Sequence, residues 1–286
     1  MKLSNLVTKR SNWVIPYVVF LILFTVLPLL LIGVYAFKSN DGGFTLQNFV
    51  KFATQSEALN TFIYSIGIAL ITTVLCILIG YPAAYILSNS ELNRNKTLVL
   101  LFILPMWINV LMRSLATVAL FDFLHLELGE GALIFGLVYD FLPFMIYPIY
   151  NTIQKIDKSY IEAAQDLGAN KIHIFTKVIW PLSIPGIISG ILMVFLPTIS
   201  TFAISEILTL NNKRLFGSII QDNIMMSDTM NYGAALSLIM LLIIAITSII
   251  SNKDDENINE GGLILKRFLQ THIYICFWSY YMPQLQ

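Results

Sequence analysis

The chain has 286 residues, of which 57% are hydrophobic and only 12% are charged. A soluble domain has about 45–50% apolar and about 25% charged residues, so this composition excludes that class and indicates an integral membrane protein. The formal net charge is zero, which leaves no basic surplus for nucleic acid, and two cysteines are too few for a disulfide framework.

Six apolar runs are each long enough to cross a bilayer, which needs roughly 20 residues per helix. The first, 13–37, follows basic residues but is too long for a cleaved signal peptide, so an uncleaved span is predicted. The other five predicted spans are 61–87, 98–124, 131–153, 182–208 and 232–250. An all-α membrane domain over 13–250 is therefore expected, between an N-terminal segment, 1–12, and a tail, 251–286.

The distribution of Lys and Arg predicts that both termini are cytoplasmic, because positive residues are retained on that side. With the N-terminus inside, the outer segments hold only Lys38, Lys51, Lys213 and Arg214. The inner segments hold Lys2, Lys9, Arg10, Arg94, Lys96, Lys155, Lys158, Lys171, Lys177 and Lys253. The half-polar stretch between the fourth and fifth spans is thereby predicted to be cytoplasmic.

That stretch, YIEAAQDLGAN, is punctuated as two short helices. Ser159 and Glu162 fit a capping box, which predicts a helix beginning at Tyr160. Gly168 suits the left-handed residue just past a helix end, and Asn170 could cap a second helix. A short helix over about 159–168 and a glycine elbow are expected on the cytoplasmic surface.

The residues alone leave two roles open for this short helix. A helix of about eight residues is only marginally stable in water and needs packing against something. It could lie on lipid headgroups, or its alanines and apolar anchors could fill a groove in a cytoplasmic partner. Glu162 could be a capping residue only, or could contact that partner as well.

The spacing of this segment resembles the EAA loop of ABC importer permeases, whose pattern is EAA-x3-G-x9-I-x-L-P. Glu162, Ala163 and Ala164 are followed at the family spacing by Gly168 and, after nine residues, by "VIWP", which ends at Pro181. Valine and tryptophan replace the Ile and Leu of the pattern. In that family the short helix is the coupling helix, seated in a cleft of the ATP-binding subunit, and the resemblance implies that role for these five residues.

Other stretches resemble one branch of the family, the spermidine/putrescine importer permeases, and the first of its two paired permeases in particular. They are "GYPAAYILS", "LPMWINVLMRSLA", "GLVYDFLPFMIYPIY" and "PLSIPGIISGILMVFLP". The resemblance implies a six-helix type I (MetI-like) permease in the bacterial cell membrane that transports polyamines. It also implies three partners: a second permease forming a heterodimer, a dimer of ATPase subunits that bind ATP and Mg, and an extracytoplasmic polyamine-binding protein.

Ionisable groups within apolar spans are costly and usually face a bundle interior or a water-filled path. A polyamine path needs carboxylates with aromatic faces between them, which Asp140, Glu206, Tyr139 and Phe202 could supply. Alternatively, Asp140 pairs with Arg113 as a neutral structural link, Glu206 is an interfacial acid, and the aromatic residues are packing. A further acid, Asp122, could simply be solvated at the outer end of the third span.

Two regions fit this family less well. The segment "HLELGEGA", 125–132, is shorter than the external segment of related permeases, and the apolar part of 262–286 is too short to span a bilayer. This end resembles the truncated opening of a partner permease or an amphipathic surface tail.

A secondary transporter should show paired broken helices, and a membrane enzyme needs convergent acid, base or metal ligands, neither of which the sequence indicates. Within the importer class, the cargo could also be another small solute.

The motif "GIISG" at 186–190, at the start of the predicted fifth span, has glycines four residues apart. A G-x-x-x-G spacing lets two helix backbones approach closely, so this face is expected to contact a neighbouring helix or the paired subunit.

Overall fold

The computed structural model describes residues 14–39, 42–89 and 97–255, and helices dominate this part of the chain. The first helix, α1 (14–36), comprises Val14–Leu21, a π-helical turn Ile22–Val26 and Leu27–Ala36. The others are α2 (Gln47–Thr54), α3 (Ser56–Ser88), α4 (Thr97–Ile103, continued by the 3₁₀ turn Leu104–Trp107), α5 (Val110–Phe123), α6 (Glu130–Gln154), α7 (Lys158–Asp166), α8 (Lys171–Ser200), α9 (Ala203–Leu208), α10 (Phe216–Met225) and α11 (Met230–Asp255).

Within the described ranges, five helices are long and apolar enough to cross a membrane: α1, α3, α6, α8 and α11. The third predicted span, 98–124, is not one helix: α4 and α5 are bent by 97° relative to each other at a short break. The break follows Pro105, which lacks an N–H, and ends where the Asn109 side chain accepts from the Leu111 N–H at 2.8 Å. Six spans result if this bent pair counts as one.

The helices α3 and α6 lie side by side and run in the same direction. At one end the Tyr64 hydroxyl donates to a Glu130 carboxylate oxygen at 2.9 Å. At the other end the Gln154 side-chain amide donates to the Ser88 carbonyl at 2.7 Å. Because both helices cross in the same direction, the chain must return between them, and the α4–α5 pair is therefore a broken span that crosses the membrane once.

The centre of the bundle is the contact among α3, α6 and α8, which glycines bring close together. A Cβ on Gly186 would lie 2.6 Å from the Thr152 hydroxyl and 2.9 Å from the Pro148 carbonyl. A Cβ on Gly190 would lie 2.6 Å from the Met145 sulfur. The G-x-x-x-G spacing thus serves contact between α8 and α6 within one chain, and the paired subunit is not needed to explain it.

The predicted fifth span, 182–208, is wrong at its C-terminal end. Helix α8 begins at Lys171, directly after the predicted cap at Asn170, and ends at Ser200, because Thr201 takes an extended backbone with ψ 146°. The remainder forms α9, a separate short helix. Glu206 therefore lies on α9 and does not end a spanning helix.

The remaining helices complete the bundle around this centre. Helix α1 packs on α11 through Ala36, Ala234 and Ala235. The N-terminus of α10 is tied to α3, since the Phe216 N–H donates to the Ser65 hydroxyl at 2.8 Å. The predicted N-terminal segment, the basic residues at 94 and 96 and the tail beyond 255 lie outside the described residues.

Candidate functional site: a glycine elbow and a buried ion pair

Helix α7 is capped differently from the prediction. The predicted capping box on Ser159 and Glu162 is wrong, because the helix begins two residues earlier than predicted, at Lys158, with Asp157 as its N-cap. The Asp157 carboxylate accepts from the Ser159 N–H at 2.9 Å, which satisfies one of the free donors of the first turn. The hydrogen bonds from Ser159 hold the pKa of the Asp157 carboxyl below its ordinary value.

The end of α7 and the start of α8 form the predicted elbow. Gly168 has φ +77°, in the left-handed region that favours glycine. Its N–H donates to the Gln165 carbonyl at 2.8 Å, and the Ala169 N–H donates to the Ala164 carbonyl at 3.0 Å, which is the Schellman pattern. The Asn170 side chain then caps α8 by accepting from the His173 N–H at 2.8 Å, as predicted.

Two large apolar side chains are exposed at the elbow, among polar residues. Helix α7 has no buried residue. Leu167 at its end is 88% exposed and Ile172 at the start of α8 is 75% exposed. Glu162 and Ala163 are exposed, and Ala164 and Gly168 line the concave side of the elbow. An apolar surface of this kind on a solvated segment is typical of a docking site.

Beyond the elbow, α8 is anchored to the end of α3 by aromatic side chains. The Trp180 ring lies 4.8 Å from the Tyr81 ring, and Phe175 meets Tyr81 edge-to-face at 5.9 Å. The buried Tyr81 hydroxyl shares a hydrogen bond of 3.0 Å with the Ser183 hydroxyl. Trp180, which replaces the family leucine, thus fills the contact between α3 and α8. Pro181 follows it inside α8, just after the π-helical turn Phe175–Ile179, and such local adjustments compensate for the missing proline N–H in membrane helices.

The predicted alternative for Asp140, a pairing with Arg113, is the arrangement in the structure. The Arg113 Nε atom lies 3.1 Å from the Asp140 Oδ1 atom, and Asp140 is 1% exposed. That contact is not aligned as a hydrogen bond, whereas Nη1 donates to the Asp140 carbonyl at 3.2 Å. The guanidinium also lies 5.9 Å from the Tyr139 ring centre. The pair ties α5, the second half of the broken span, to α6.

The other three predicted path residues, Tyr139, Phe202 and Glu206, are all partly exposed. Tyr139 is 41% exposed beside the ion pair. Phe202 and Glu206 come together on the first turn of α9, where the Phe202 carbonyl accepts from the Glu206 N–H at 3.1 Å. Glu206 also interacts electrostatically with Asp222 and Arg214, which pair at 3.0 Å. The sequence analysis missed Asp222, because nothing local signals that α10 returns to α9.

A family model described as "Binding-protein-dependent transport system inner membrane component" matches residues 77–253, more than half of the chain. The chain belongs to this family. Its similar curated relatives include the "Spermidine/putrescine transport system permease protein PotB" of Salmonella typhimurium strain SL1344. That protein is 33% identical over 277 residues, covering 88% of this chain and 96% of the relative.

Two further relatives widen the comparison. PotB of Escherichia coli K12 is 32% identical over 270 residues, covering 86% of this chain and 98% of the relative. A PotB homolog of Mycoplasma genitalium is 29% identical and covers 72% of this chain and 76% of the relative. Nearly the whole length of the first two relatives is thus matched by this permease.

Solved structures share the fold. A bacterial ABC transporter involved in the import of the acidic polysaccharide alginate superposes with a TM-score of 0.66 at 15% identity, covering 87% of this chain and 96% of that chain. An inward-facing MetNI methionine ABC transporter gives a TM-score of 0.60 at 13% identity, covering 71% and 96%. The protein is an all-α, multi-pass ABC importer permease of the MetI type in the bacterial plasma membrane, a transport subunit and not an enzyme.

Proposed function

We propose that this permease forms part of the translocation path of an ATP-driven polyamine importer. The observation that carries the proposal is its 32–33% identity, over 86–88% of its length, to permeases of spermidine/putrescine transport systems. Structural neighbours with other named cargo share only the fold, at 13–16% identity. Spermidine and putrescine are therefore the cargo to test first.

The proposed link to ATP hydrolysis is the elbow. A cytoplasmic ATPase subunit receives α7, with Leu167 as the apolar anchor and Glu162 on the exposed surface. Two features support this assignment: the EAA spacing in the sequence, and the exposure of an apolar helix end that has no packing partner in the described chain. A groove in a partner would supply the packing that so short a helix needs.

The proposed assembly also contains a second permease and an external binding protein. The chain supplies one set of spanning helices, and the partner permease completes the path. In the proposed cycle, ATP brings the two ATPase subunits together, and α7 transmits that motion to α8. Because α8 is continuous from Lys171 to Ser200 and is packed on α3 and α6, the three helices would tilt together and open the path outward.

The test is reconstitution with the cognate ATPase and partner permease, followed by ATP-dependent uptake of labelled spermidine. Glu162→Lys reverses the charge on the exposed surface of α7, and uptake should fall at least about tenfold, since like charges brought together at an interface cost several kcal/mol. Glu127→Lys makes the same charge change on an exposed acid at the opposite end of the bundle and serves as the control for ATPase co-purification. Normal uptake and co-purification with Glu162→Lys would contradict the coupling role.

Cargo is tested separately with competitors. Unlabelled spermidine and putrescine should inhibit uptake of labelled spermidine, whereas methionine should not. If no polyamine is taken up while ATP hydrolysis still responds to the Glu162→Lys change, the coupling proposal stands and the cargo is another small solute.

A further inference from the structure

A π-helical turn interrupts α8 between the elbow and the bundle. It covers Phe175–Ile179 and is closed by the Trp180 N–H, which donates to the Phe175 carbonyl five residues back. Each residue of an α-helix turns the chain by about 100°, so side chains five residues apart point about 140° away from each other. A π-helical turn accommodates one extra residue, and side chains five residues apart return to nearly the same face.

This geometry brings the rings of Phe175 and Trp180 together on one face of α8. Their ring centres lie 6.4 Å apart. Both rings contact Tyr81 of α3, at 5.9 Å from Phe175 and 4.8 Å from Trp180. Phe175 also meets the Tyr85 ring edge-to-face at 5.3 Å. Because a regular α-helix would turn one of the two rings away from α3, the π-helical turn sets the register in which both contact the same tyrosine.

Tyr81 lies where α3 meets both of the other central helices. Its side chain is buried, and its hydroxyl shares a hydrogen bond with the Ser183 hydroxyl of α8. The preceding residue, Gly80, approaches α6 so closely that a Cβ there would lie 3.0 Å from the Met145 Cγ atom. Packed helices of this kind do not deform independently, so a displacement that reaches Tyr81 also reaches α6 and α8.

We propose that Tyr81, Phe175 and Trp180 form a joint that passes the motion of the elbow to α3, and that the π-helical turn sets the register of this joint. The three are positioning residues, which act through α3 on the helices of the path and touch neither the ATPase nor the cargo. The inference rests on the proposed coupling of the elbow to an ATPase, and it does not depend on which solute is carried.

The side chains of the joint are tested by measuring spermidine uptake and ATP hydrolysis on the same vesicles. Phe175→Ala and Trp180→Ala should lower the spermidine moved per ATP by roughly twofold to thirtyfold, the range over which residues that carry coupling between sites act. The KM for spermidine and co-purification of the ATPase should not change. Tyr81→Phe keeps the ring and should retain normal coupling, whereas Tyr81→Leu should lose it.

Phe62→Ala is the matched control for loss of an aromatic contact. Phe62 also lies on α3, and its ring meets two others, Phe216 at 5.0 Å and Phe52 at 6.0 Å, but near the opposite end of the helix. Its replacement should lower stability without changing the spermidine moved per ATP. Equal effects of Trp180→Ala and Phe62→Ala on that ratio would mean that the contacts at Tyr81 are packing only, and would overturn the proposal.

Two changes of chain length test the register. Deletion of Thr176, an exposed residue of the π-helical turn, leaves Phe175 and Trp180 four positions apart, which an α-helix places about 40° from each other. Both rings then still reach Tyr81, so coupling should be retained. Insertion of one alanine after Thr176 leaves them six positions apart, about 120° from each other, and coupling should be lost. Loss of coupling in the deletion variant, or its retention in the insertion variant, would overturn the register assignment.

Amide hydrogen exchange gives a readout that needs no cargo. With the ATPase bound, ATP should change exchange at 83–88, the end of α3, in the wild type and in Phe62→Ala, but not in Trp180→Ala. The same response to ATP in Trp180→Ala as in the wild type would overturn the joint. A wild type that shows the response but takes up no spermidine would contradict the proposed cargo and support the joint. A wild type that does not retain the ATPase would contradict the proposed coupling, and the joint with it.

Discussion

The centre of the bundle and the glycine elbow are held in place by opposite means. In the centre, α6 and α8 approach so closely that a Cβ on Gly186 would meet the Pro148 carbonyl at 2.9 Å. At the elbow, α7 buries no side chain, and its geometry rests on the Asp157 cap and the Gly168 turn. The centre is fixed by packing between helices, whereas the elbow is fixed by local hydrogen bonds.

This difference indicates how motion would pass through the molecule. Close-packed helices are not continuously deformable, so α3, α6 and α8 should move as one body. A short helix without packing takes the position of whatever binds it. The aromatic contact of Trp180 with Tyr81 lies between the two regions and joins the start of α8 to the end of α3.

The largest effect is expected from breaking the buried ion pair. Asp140→Asn leaves the Arg113 guanidinium buried without a countercharge, which should lower the free energy of unfolding by about 3–5 kcal/mol. Thermal unfolding in detergent measures this loss. The double variant Arg113→Met with Asp140→Leu removes both charges and should recover most of the stability. Equal destabilisation by the single and double variants would show that the pair does not act as a unit.

A smaller effect is expected from filling the contact between α6 and α8. Gly186→Ala introduces a Cβ that meets Thr152 and the Pro148 carbonyl, and should destabilise the bundle by about 1–3 kcal/mol. Gly67→Ala is the matched control, because a Cβ at that helical position meets nothing within 4 Å. It should be neutral or stabilising by about 0.5–1 kcal/mol. Similar melting temperatures for the two variants would contradict the close packing.

The smallest global effect is expected at the elbow. Gly168→Ala places a Cβ in the left-handed region at φ +77°, which costs about 1–2 kcal/mol locally. Because α7 is not packed on the bundle, the melting temperature should change little, while amide hydrogen exchange in α7 should become faster. A large drop in melting temperature with unchanged exchange would mean that the elbow is packed on the bundle after all.

Local features could be predicted from the sequence and long-range ones could not. The turn at Gly168 and the cap at Asn170 each depend on residues within a few positions, and both predictions were correct. The prediction of Ser159 as the cap of α7 was wrong because Asp157 and Ser159 are both good capping residues, two positions apart. Asp157 is the residue that caps the helix.

The arrangement of the helices at the centre of the bundle could not be predicted from the sequence. The spans were recognisable from their length and hydropathy, but the 97° bend in the third was not, because the predominantly apolar run continues on both sides of Pro105 and Asn109. The sequence offered Asp140 both as a path residue and as the partner of Arg113, and only the packing of α5 on α6 shows the pairing. Glu206 was placed on the wrong helix for a similar reason, since the break at Thr201 lies within an apolar run.

The central claim, that the exposed elbow is where a cytoplasmic ATPase acts on this bundle, is tested most directly by cross-linking. Leu167→Cys, at a side chain that is 88% exposed, carries a photoactivatable thiol-reactive cross-linker in the assembled importer, and Leu126→Cys, 52% exposed at the opposite end, carries it as the control. If the elbow docks on the ATPase, Leu167→Cys should link to the ATPase subunit and Leu126→Cys should not. Cross-links from position 126 but not from position 167 would contradict it.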